Sequence, residues 1–271
     1  MGGPTEWYPA RILQTGAADE DLTDPRFALI ILNQPLRDVP TLKTLWKKAS
    51  LKVAADGGAN RLLQTCQNEQ DGGHTFNDLD VIIGDLDSLT ATTREYFTTR
   101  SQTTQIVHDS DQYSTDFGKA VNHIHSSTAS RGKGPMDIVA MGGLGGRVDQ
   151  GLSQLHHLYL FQTSPTYAHG RMFLVSGESL TFLLKTGRHR IHVREKDAAG
   201  KVLRDVFDKY VGIIPIKEPS VISTKGLEWD VEDWKTELGG MLSTSNHVLP
   251  ETTVVEVETT KDVLFTIALK P

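Results

Sequence analysis

Residues 81–89, VIIGDLDSL, begin as an apolar run and end in two carboxylates, Asp85 and Asp87, one residue apart. Gly84 precedes the pair and Ser88 follows it. A buried strand that stops at Gly-Asp-x-Asp places its acids at the carboxyl edge of a sheet, where open α/β folds bind ligands. Two anions held so close repel unless a cation lies between or beside them. Mg²⁺ suits that position, because it takes one or two carboxylates together with phosphate oxygens. By itself the stretch also fits a strand end followed by a solvated Asp turn.

The flanking sequence repeats the pattern. Residues 27–32 (FALIIL) are an apolar run of strand length ending in Asn33-Gln34-Pro35, and residues 41–49 carry Leu42, Leu45 and Trp46 at helical spacing. Leu51–Ala55 is a second strand, ending in Asp56-Gly57-Gly58-Ala59-Asn60 before a helix. Residues 67–78 are polar and Gly-containing, a surface loop. A short helix at 92–96 precedes a strand at 104–107, which runs into His108-Asp109-Ser110-Asp111-Gln112. The next helix begins near Ser114, and Phe117, Ala120, Val121 and Ile124 make its apolar face. Residues 136–141 form another strand, followed by GGLGGRVDQ (142–150) and a helix expected to bury Val148, Leu152, Leu155, Leu158 and Tyr159.

Strand and helix alternate over 27–162, which predicts a mostly parallel sheet flanked by helices. In such a sheet the polar strand ends converge on one crevice: Asp56, the Asp85/Asp87 pair, Asp109 to Gln112, and the Gly-rich loop with Arg147 and Asp149. From about residue 162 the pattern becomes strands alone, at Met172–Val175, 180–184, 189–193, 211–216, 240–243, 252–257 and Val263–Leu269. The fold class is therefore α/β plus all-β, the second domain being a β-sandwich or half-barrel. The expected organisation is a poorly ordered or loosely packed extension over 1–25, an α/β domain over 26–165 and a β domain over 170–271.

Composition narrows the partners. Lys+Arg 28 against Asp+Glu 34 gives a net charge of −6, which argues against a general nucleic-acid binder. Cys66 is the single cysteine, so an intrachain disulfide and a cysteine-rich zinc site are excluded, and a cytoplasmic setting fits. No apolar run approaches the roughly 18–20 residues of a membrane span. The N-terminal residues lack an apolar signal core and carry several acids, unlike a secretory or mitochondrial leader.

Among the motifs, GGLGGRVDQ sits between strand and helix, where free N–H groups and the helix dipole can hold phosphate. It is not a P-loop, since no Gly-Lys-Ser/Thr follows, and Val148 stands where a dinucleotide fingerprint needs its third glycine. A tight turn is the plain alternative. Arg147 offers a forked donor to a phosphate, and Asp149 could join the acids. Asp56 and Asp116 each have an ordinary use, as a helix cap and a first-turn acid respectively. His156 and His157 are neighbours on a helix, cannot share a face, and read as structural. In the β domain, Trp229 follows a Gly turn and either packs in the core or offers an indole plane to a heteroaromatic ring. Leu242-Ser243-Thr244-Ser245-Asn246 is a turn or a polar rim.

Together these stretches resemble the thiamin pyrophosphokinase family in its eukaryotic form. The resemblance rests on ADGGAN (55–60), GDLDS (84–88), DQYSTDFGKA (111–120), GGLGGRVDQ (142–150), GRHRIHV (187–193), GIIPI (212–216), TKGLEWDV (224–231) and LSTSN (242–246), in order along both domains. The acidic N-terminal extension and an insertion at 195–210 depart from it. The resemblance implies Mg²⁺-dependent transfer of the β,γ-diphosphate of ATP to thiamin, releasing AMP, in a homodimer whose active sites lie between subunits. It implies Asp56, Asp85, Asp87 and Asp116 as metal ligands, with Asp85, Asp87 and Asp116 catalytic. It further implies Gln112, Gly143, Gly145, Gly146, Arg147 and Asp149, beside Asp56 and Asp116, as ATP contacts. Trp229, Ser243, Ser245 and Asn246 would seat thiamin. The general base stays open between Asp87 and Asp116. A non-catalytic nucleotide or thiamin binder and a metal-dependent phosphohydrolase remain as alternatives.

Overall fold

The structure, a computed structural model, describes residues 3–14, 26–68, 75–100, 104–130, 132, 134–195 and 204–270. Parts of the expected loop at 67–78, of the insertion at 195–210 and of the extension at 1–25 lie outside the described residues. In chain order the elements begin with β1 (Thr5–Trp7), α1 (Ala10–Leu13), β2 (Phe27–Ile31), α2 (Val39–Lys48), β3 (Leu51–Ala55) and α3 (Gly58–Asn68). Next come β4 (Val81–Gly84), α4 (Ala91–Arg100), β5 (Gln105–His108), α5 (Asp116–Ser130), β6 (Asp137–Met141) and α6 (Val148–Phe161). Strands follow: β7 (Met172–Val175), β8 (Ser179–Leu184), β9 (Gly187–His192), β10 (Phe207–Ile214) and β11 (Ser220–Lys225). The last are β12 (Trp234–Thr236), β13 (Ser243–His247), β14 (Val254–Thr259) and β15 (Val263–Leu269). Contacts divide the chain into one unit of residues 26–177 and another that joins the N-terminal segment to residues 178–271.

In the first unit six strands pair in the order β7-β6-β2-β3-β4-β5, every pair parallel. Central β2 is buried along its whole length, as a strand covered on both faces must be, and its FALII sequence is apolar throughout. The chain adds β3, β4 and β5 on one side of β2 and then returns to add β6 and β7 on the other. The direction of winding therefore reverses at β2/β6, the place where open parallel sheets bind ligands. Register aligns the carboxyl ends: Ile31 pairs with Ala54 and Met141, Ala55 with Ile83, and Gly84 with His108.

Helix ends follow local chemistry. Asp38 caps α2 by accepting from the Thr41 N–H at 3.0 Å, with Pro40 in the first turn and Lys47 and Lys48 in the last. On α6 the structure corrects the expected face. Gln154, His157 and Leu158 are buried, whereas Val148 is 77% exposed and Leu152 57%. The helix carries apolar residues on two faces, and the inward one includes two polar side chains.

The second unit holds two sheets, β1-β9-β14-β11-β12 and the strands β13-β10-β15-β8. Apart from β1 with β9, their pairs are antiparallel. The layers meet through aromatics: Trp7 stacks on Phe182 at 4.6 Å, and Phe182 meets Phe265 at 5.3 Å. This is the expected sandwich. A strand foreseen at 240–243 lies instead at Ser243–His247. Gly239, at φ 89°, and the Gly240 N–H bond to the Glu237 carbonyl turn the chain just before it.

The N-terminal segment is the larger correction. Thr5–Trp7, expected to be loosely packed, runs parallel to β9, and Trp7 is fully buried. Its indole N–H donates to His189 Nδ1 at 3.1 Å, and His189 Nε2 donates to the Lys185 carbonyl at 2.7 Å. Glu6 accepts from Arg190 and pairs with His192, and Arg11 clasps Glu195 at 2.7 Å. These partners are more than 180 residues away in sequence, beyond the reach of any local pattern. Trp7→Ala is expected to destabilise the protein by about 3–5 kcal/mol, and Trp7→Phe, which keeps an aromatic ring but loses the donated bond and some area, by less than half that. Denaturant unfolding of the three proteins measures both.

Candidate active site

The parallel sheet's carboxyl edge collects acids. Asp56 leaves β3 with φ at 42°, a left-handed conformation that costs most residues about 1–2 kcal/mol but that Asp tolerates. Its backbone N–H donates to the Ile83 carbonyl at 2.9 Å, tying it to β4. One side-chain oxygen, Oδ2, accepts from the Ser88 N–H at 3.1 Å; the other, Oδ1, is buried with no hydrogen-bond partner among the described residues. Oxygens of Asp56, Asp85 and Asp87 all lie within 4.8 Å of one another. Asn60 holds the loop between them, donating to the Ser88 carbonyl at 2.7 Å and accepting from the Thr90 N–H at 3.2 Å.

Asp116, the first residue of α5, completes the edge. Its Oδ1 accepts from the Asp85 N–H and from buried Lys119 Nζ, each at 3.4 Å. Gly84 makes this crowding feasible: a Cβ there would stand 2.7 Å from Asp56 Cβ and 2.8 Å from Asp116 Oδ1. Burial pushes the Asp56 carboxyl above its ordinary value, and the charges of Asp116 and Asp87 push the same way. Burial likewise raises Asp116, aided by Asp85 and opposed by the Lys119 ammonium. An orphaned buried oxygen amid three carboxylates fits a small hard dication such as Mg²⁺, which needs oxygen ligands and negative charge.

These acids form one wall of a cleft of about 500 Å³, within the range of small-molecule sites. Asn33 and Gln34, from the end of β2, and Gly142 and Gly143, from the end of β6, face it at the winding reversal. Gly142, at φ 80°, lets the chain turn where a Cβ would sit 2.8 Å from the Leu32 carbonyl oxygen. Ser114 and Thr115 line the side before α5, and Arg147, Gln150 and Gln154 line the side from α6. The exposed Arg147 guanidinium grips Asp149 at 2.6 and 3.1 Å. An exposed pair of this kind is worth little, so the guanidinium would give it up for another anion at little cost.

In the β unit, Trp229 is 54% exposed, which rejects the core-packing alternative. Asp230 builds its loop by accepting from the N–H groups of Gly226 and Leu227 and from the Thr224 hydroxyl. Asn246 is buried and fully committed there: Oδ1 accepts from the Trp229 N–H at 3.2 Å, and Nδ2 donates to the Trp229 carbonyl at 2.9 Å. The His247 ring lies 4.9 Å from the indole and meets Tyr210 edge-on at 5.2 Å. The result is a rigid aromatic surface suited to stacking a heteroaromatic ring.

Comparison with known proteins places the chain. A family model described as thiamin pyrophosphokinase, catalytic domain, matches residues 42–168, and one described as thiamin pyrophosphokinase, vitamin B1 binding domain, matches residues 188–264. Thiamine pyrophosphokinase 3 of Oryza sativa subsp. japonica is 36% identical over 253 residues, 90% of this chain and 87% of that protein. The chain belongs to the thiamin pyrophosphokinase family. Thiamine pyrophosphokinase 1 of Arabidopsis thaliana is 35% identical, covering 93% of this chain and 90% of the relative. The crystal structure of yeast thiamin pyrophosphokinase has the same fold, with a TM-score of 0.80 at 24% identity over 98% of this chain and 91% of that one.

The structure brings together many of the residues that the family resemblance implied. Asp56, Asp85, Asp116, Gly143 and Arg147 line the cleft, and Asp87 joins the carboxylate group. Gly145, Gly146, Asp149 and Gln112 lie outside the lining. Gln112 is exposed, with its amide 3.5 Å from the Ser110 carbonyl. Ser243 is half-buried and Ser245 exposed on the strand that carries Asn246. Sequence reasoning passed over Asn33, Gln34, Thr115, Gln154 and Lys119. The strand-end position of Asn33-Gln34 and the three-residue spacing of Asp116 and Lys119 were the available signals.

Because Asp56 and Asp116 are raised, the fold favours their protonated forms. Their contribution to stability is full below the ordinary value of 3.8 and is lost as pH rises through the raised values. Deprotonation of these crowded carboxylates as pH rises therefore works against the cation-free fold. Asp56→Asn is expected to raise the thermal midpoint of the cation-free protein at about pH 7, with the gain shrinking as pH falls toward 4. Calorimetry across that range checks the sign, and a lower midpoint at neutral pH contradicts it.

Proposed function

We propose that this protein is an ATP-dependent diphosphotransferase that converts thiamin to thiamin diphosphate and releases AMP, with Mg²⁺ as cofactor. The observation that carries the reading is the buried, unpartnered Asp56 Oδ1 beside Asp85 and Asp87, in the same cleft as the Gly142-Gly143 turn and Arg147. Asp56, Asp85 and Asp87 would hold the Mg²⁺, with Asp116 beside them, and the bound ion supplies charge neutralisation of the phosphate oxygens.

The chain's own groups account for the remaining tasks. The glycine turn lets the triphosphate approach backbone N–H groups, and Arg147 exchanges Asp149 for a phosphate. A thiamin hydroxyl oxygen then attacks the β-phosphorus and the α-phosphate leaves as AMP. Asp116 is suited to receive the hydroxyl proton, because burial raises its affinity for protons while Lys119 holds the carboxylate in place. Trp229 stacks the pyrimidine, Ser243 and Ser245 supply polar contacts at its rim, and Asn246 acts by holding the Trp229 loop. Gly143, Gly145, Gly146, Gln112 and Asp149 are assigned to ATP by family resemblance. The enzyme is read as a cytoplasmic homodimer, with the α/β cleft of one subunit completed by the Trp229 face of the other. The exposure of Trp229, and of Val148 and Leu152 beside the cleft-lining residues of α6, supports that assembly.

Incubation with Mg-ATP and thiamin should yield AMP and thiamin diphosphate in equal amounts. ADP in place of AMP, or phosphate release without thiamin, sinks the proposal. Asp87→Asn should lower kcat by a factor of at least about 100 with the fold intact by circular dichroism, and chelation of the metal should abolish turnover reversibly. Trp229→Ala, which loses a stacking plane worth about 1–3 kcal/mol, should raise KM for thiamin roughly ten- to a hundredfold and leave KM for ATP unchanged.

A further inference from the structure

His157 sits on the inner face of α6, one turn beyond cleft-lining Ser153 and Gln154, and is 3% exposed. Its Nδ1 lies 2.5 Å from the Ser153 carbonyl oxygen. A carbonyl only accepts, so Nδ1 carries the proton. In the neutral ring Nε2 is then a bare acceptor, and Thr115 Oγ1 stands 2.7 Å away as its donor. With its O–H donated to the ring, the Thr115 oxygen accepts from the Gly118 N–H at 3.1 Å and so caps α5.

Burial lowers the proton affinity of the ring, and the neighbouring His156 acts in the same sense, against a pull upward from the Ser153 carbonyl. The imidazole stacks on Phe117 at 4.8 Å and on Phe161 at 5.8 Å. A directed chain of hydrogen bonds thus runs from α6 through His157 and Thr115 into the first turn of α5. The first residue of that turn is Asp116. The loop ahead of it, 109–114, is held mainly by its own Asp109 and Asp111 side chains bonding local N–H groups, which fixes its shape but not its place against α6.

We propose that His157 is a positioning residue for the nucleotide: as a neutral acceptor it orients the Thr115 hydroxyl and sets the start of α5, with Thr115 and Asp116, against the cleft-lining turns of α6. The role rests on the reading of this cleft as the ATP site. Turnover by the wild-type protein tests that reading separately from the variants.

Steady-state kinetics with Mg-ATP and thiamin on His157→Phe, His157→Gln, Thr115→Val and the His157→Phe/Thr115→Val pair test the role. Phe keeps the stack and removes the acceptor. It should raise KM for ATP about five- to tenfold, the worth of one hydrogen bond, and leave KM for thiamin unchanged. Gln carries an amide oxygen to about the position of Nε2 and should recover most of the loss. In the Thr115→Val background the Phe substitution should add nothing. A folded His157→Phe with wild-type KM for ATP, a parallel rise in KM for thiamin, or multiplying effects in the pair overturns the proposal. Should His157→Phe not fold, the imidazole ¹⁵N resonances decide. Nε2 should shift toward the unbonded position in Thr115→Val, and an unmoved resonance overturns the role.

Discussion

Carboxylates that repel one another are packed at one edge of a parallel sheet, and the rest of the α/β unit is arranged to bear them. Asp56 follows the end of β3, Asp85 and Asp87 lie in the loop after β4, and Asp116 opens α5. Strand register alone brings Asp56 level with Gly84, the residue before Asp85, because Ala55 pairs with Ile83. The left-handed backbone at Asp56, the missing side chain at Gly84 and the buried ammonium of Lys119 each relieve part of the crowding. What remains is an oxygen with no proton donor among the described residues, the kind of deficit that a protein retains where a ligand or ion removes it.

Helix placement carries the same logic outward from the sheet. The glycine turn after β6 lies across β2 from Asp56, so that turn and the carboxylate group face each other over the end of one strand. Residues 33 and 34, which close that gap, have no charge. They work by position, Asn33 taking a bond from Arg61 and Gln34 packing under Gly146. The β unit offers a contrasting surface. Its Trp229 is held at the backbone by Asn246 and flanked by His247, so the indole plane is preorganised and its face left open to solvent.

Much of this was legible from residues in order. Alternating apolar runs and helical faces specify a parallel sheet, and polar punctuation at successive strand ends marks the ligand edge, because a parallel sheet leaves those ends no other place to go. The face of α6 was not legible. Val148 and Leu152 are apolar and yet exposed, while Gln154 and His157 are polar and buried. Hydrophobic periodicity ranks side chains by transfer from water, and it does not see that a buried histidine can be satisfied by Thr115, forty-two residues away. The N-terminal strand escaped notice for the same reason, since its partners Phe182, His189 and Arg190 belong to distant strands.

By itself the sequence determined the two-part fold class, the acids at the carboxyl edge and the motifs that mark the family, all of which depend on local spacing and residue type. Tertiary structure alone decided that Trp229 is exposed, that Asp56 keeps an unpartnered oxygen, that Gln112 and Asp149 stand outside the cleft lining, and that Trp7 is a core residue. Burial and hydrogen-bond satisfaction are properties of neighbours brought in from far along the chain, and only the folded arrangement supplies them.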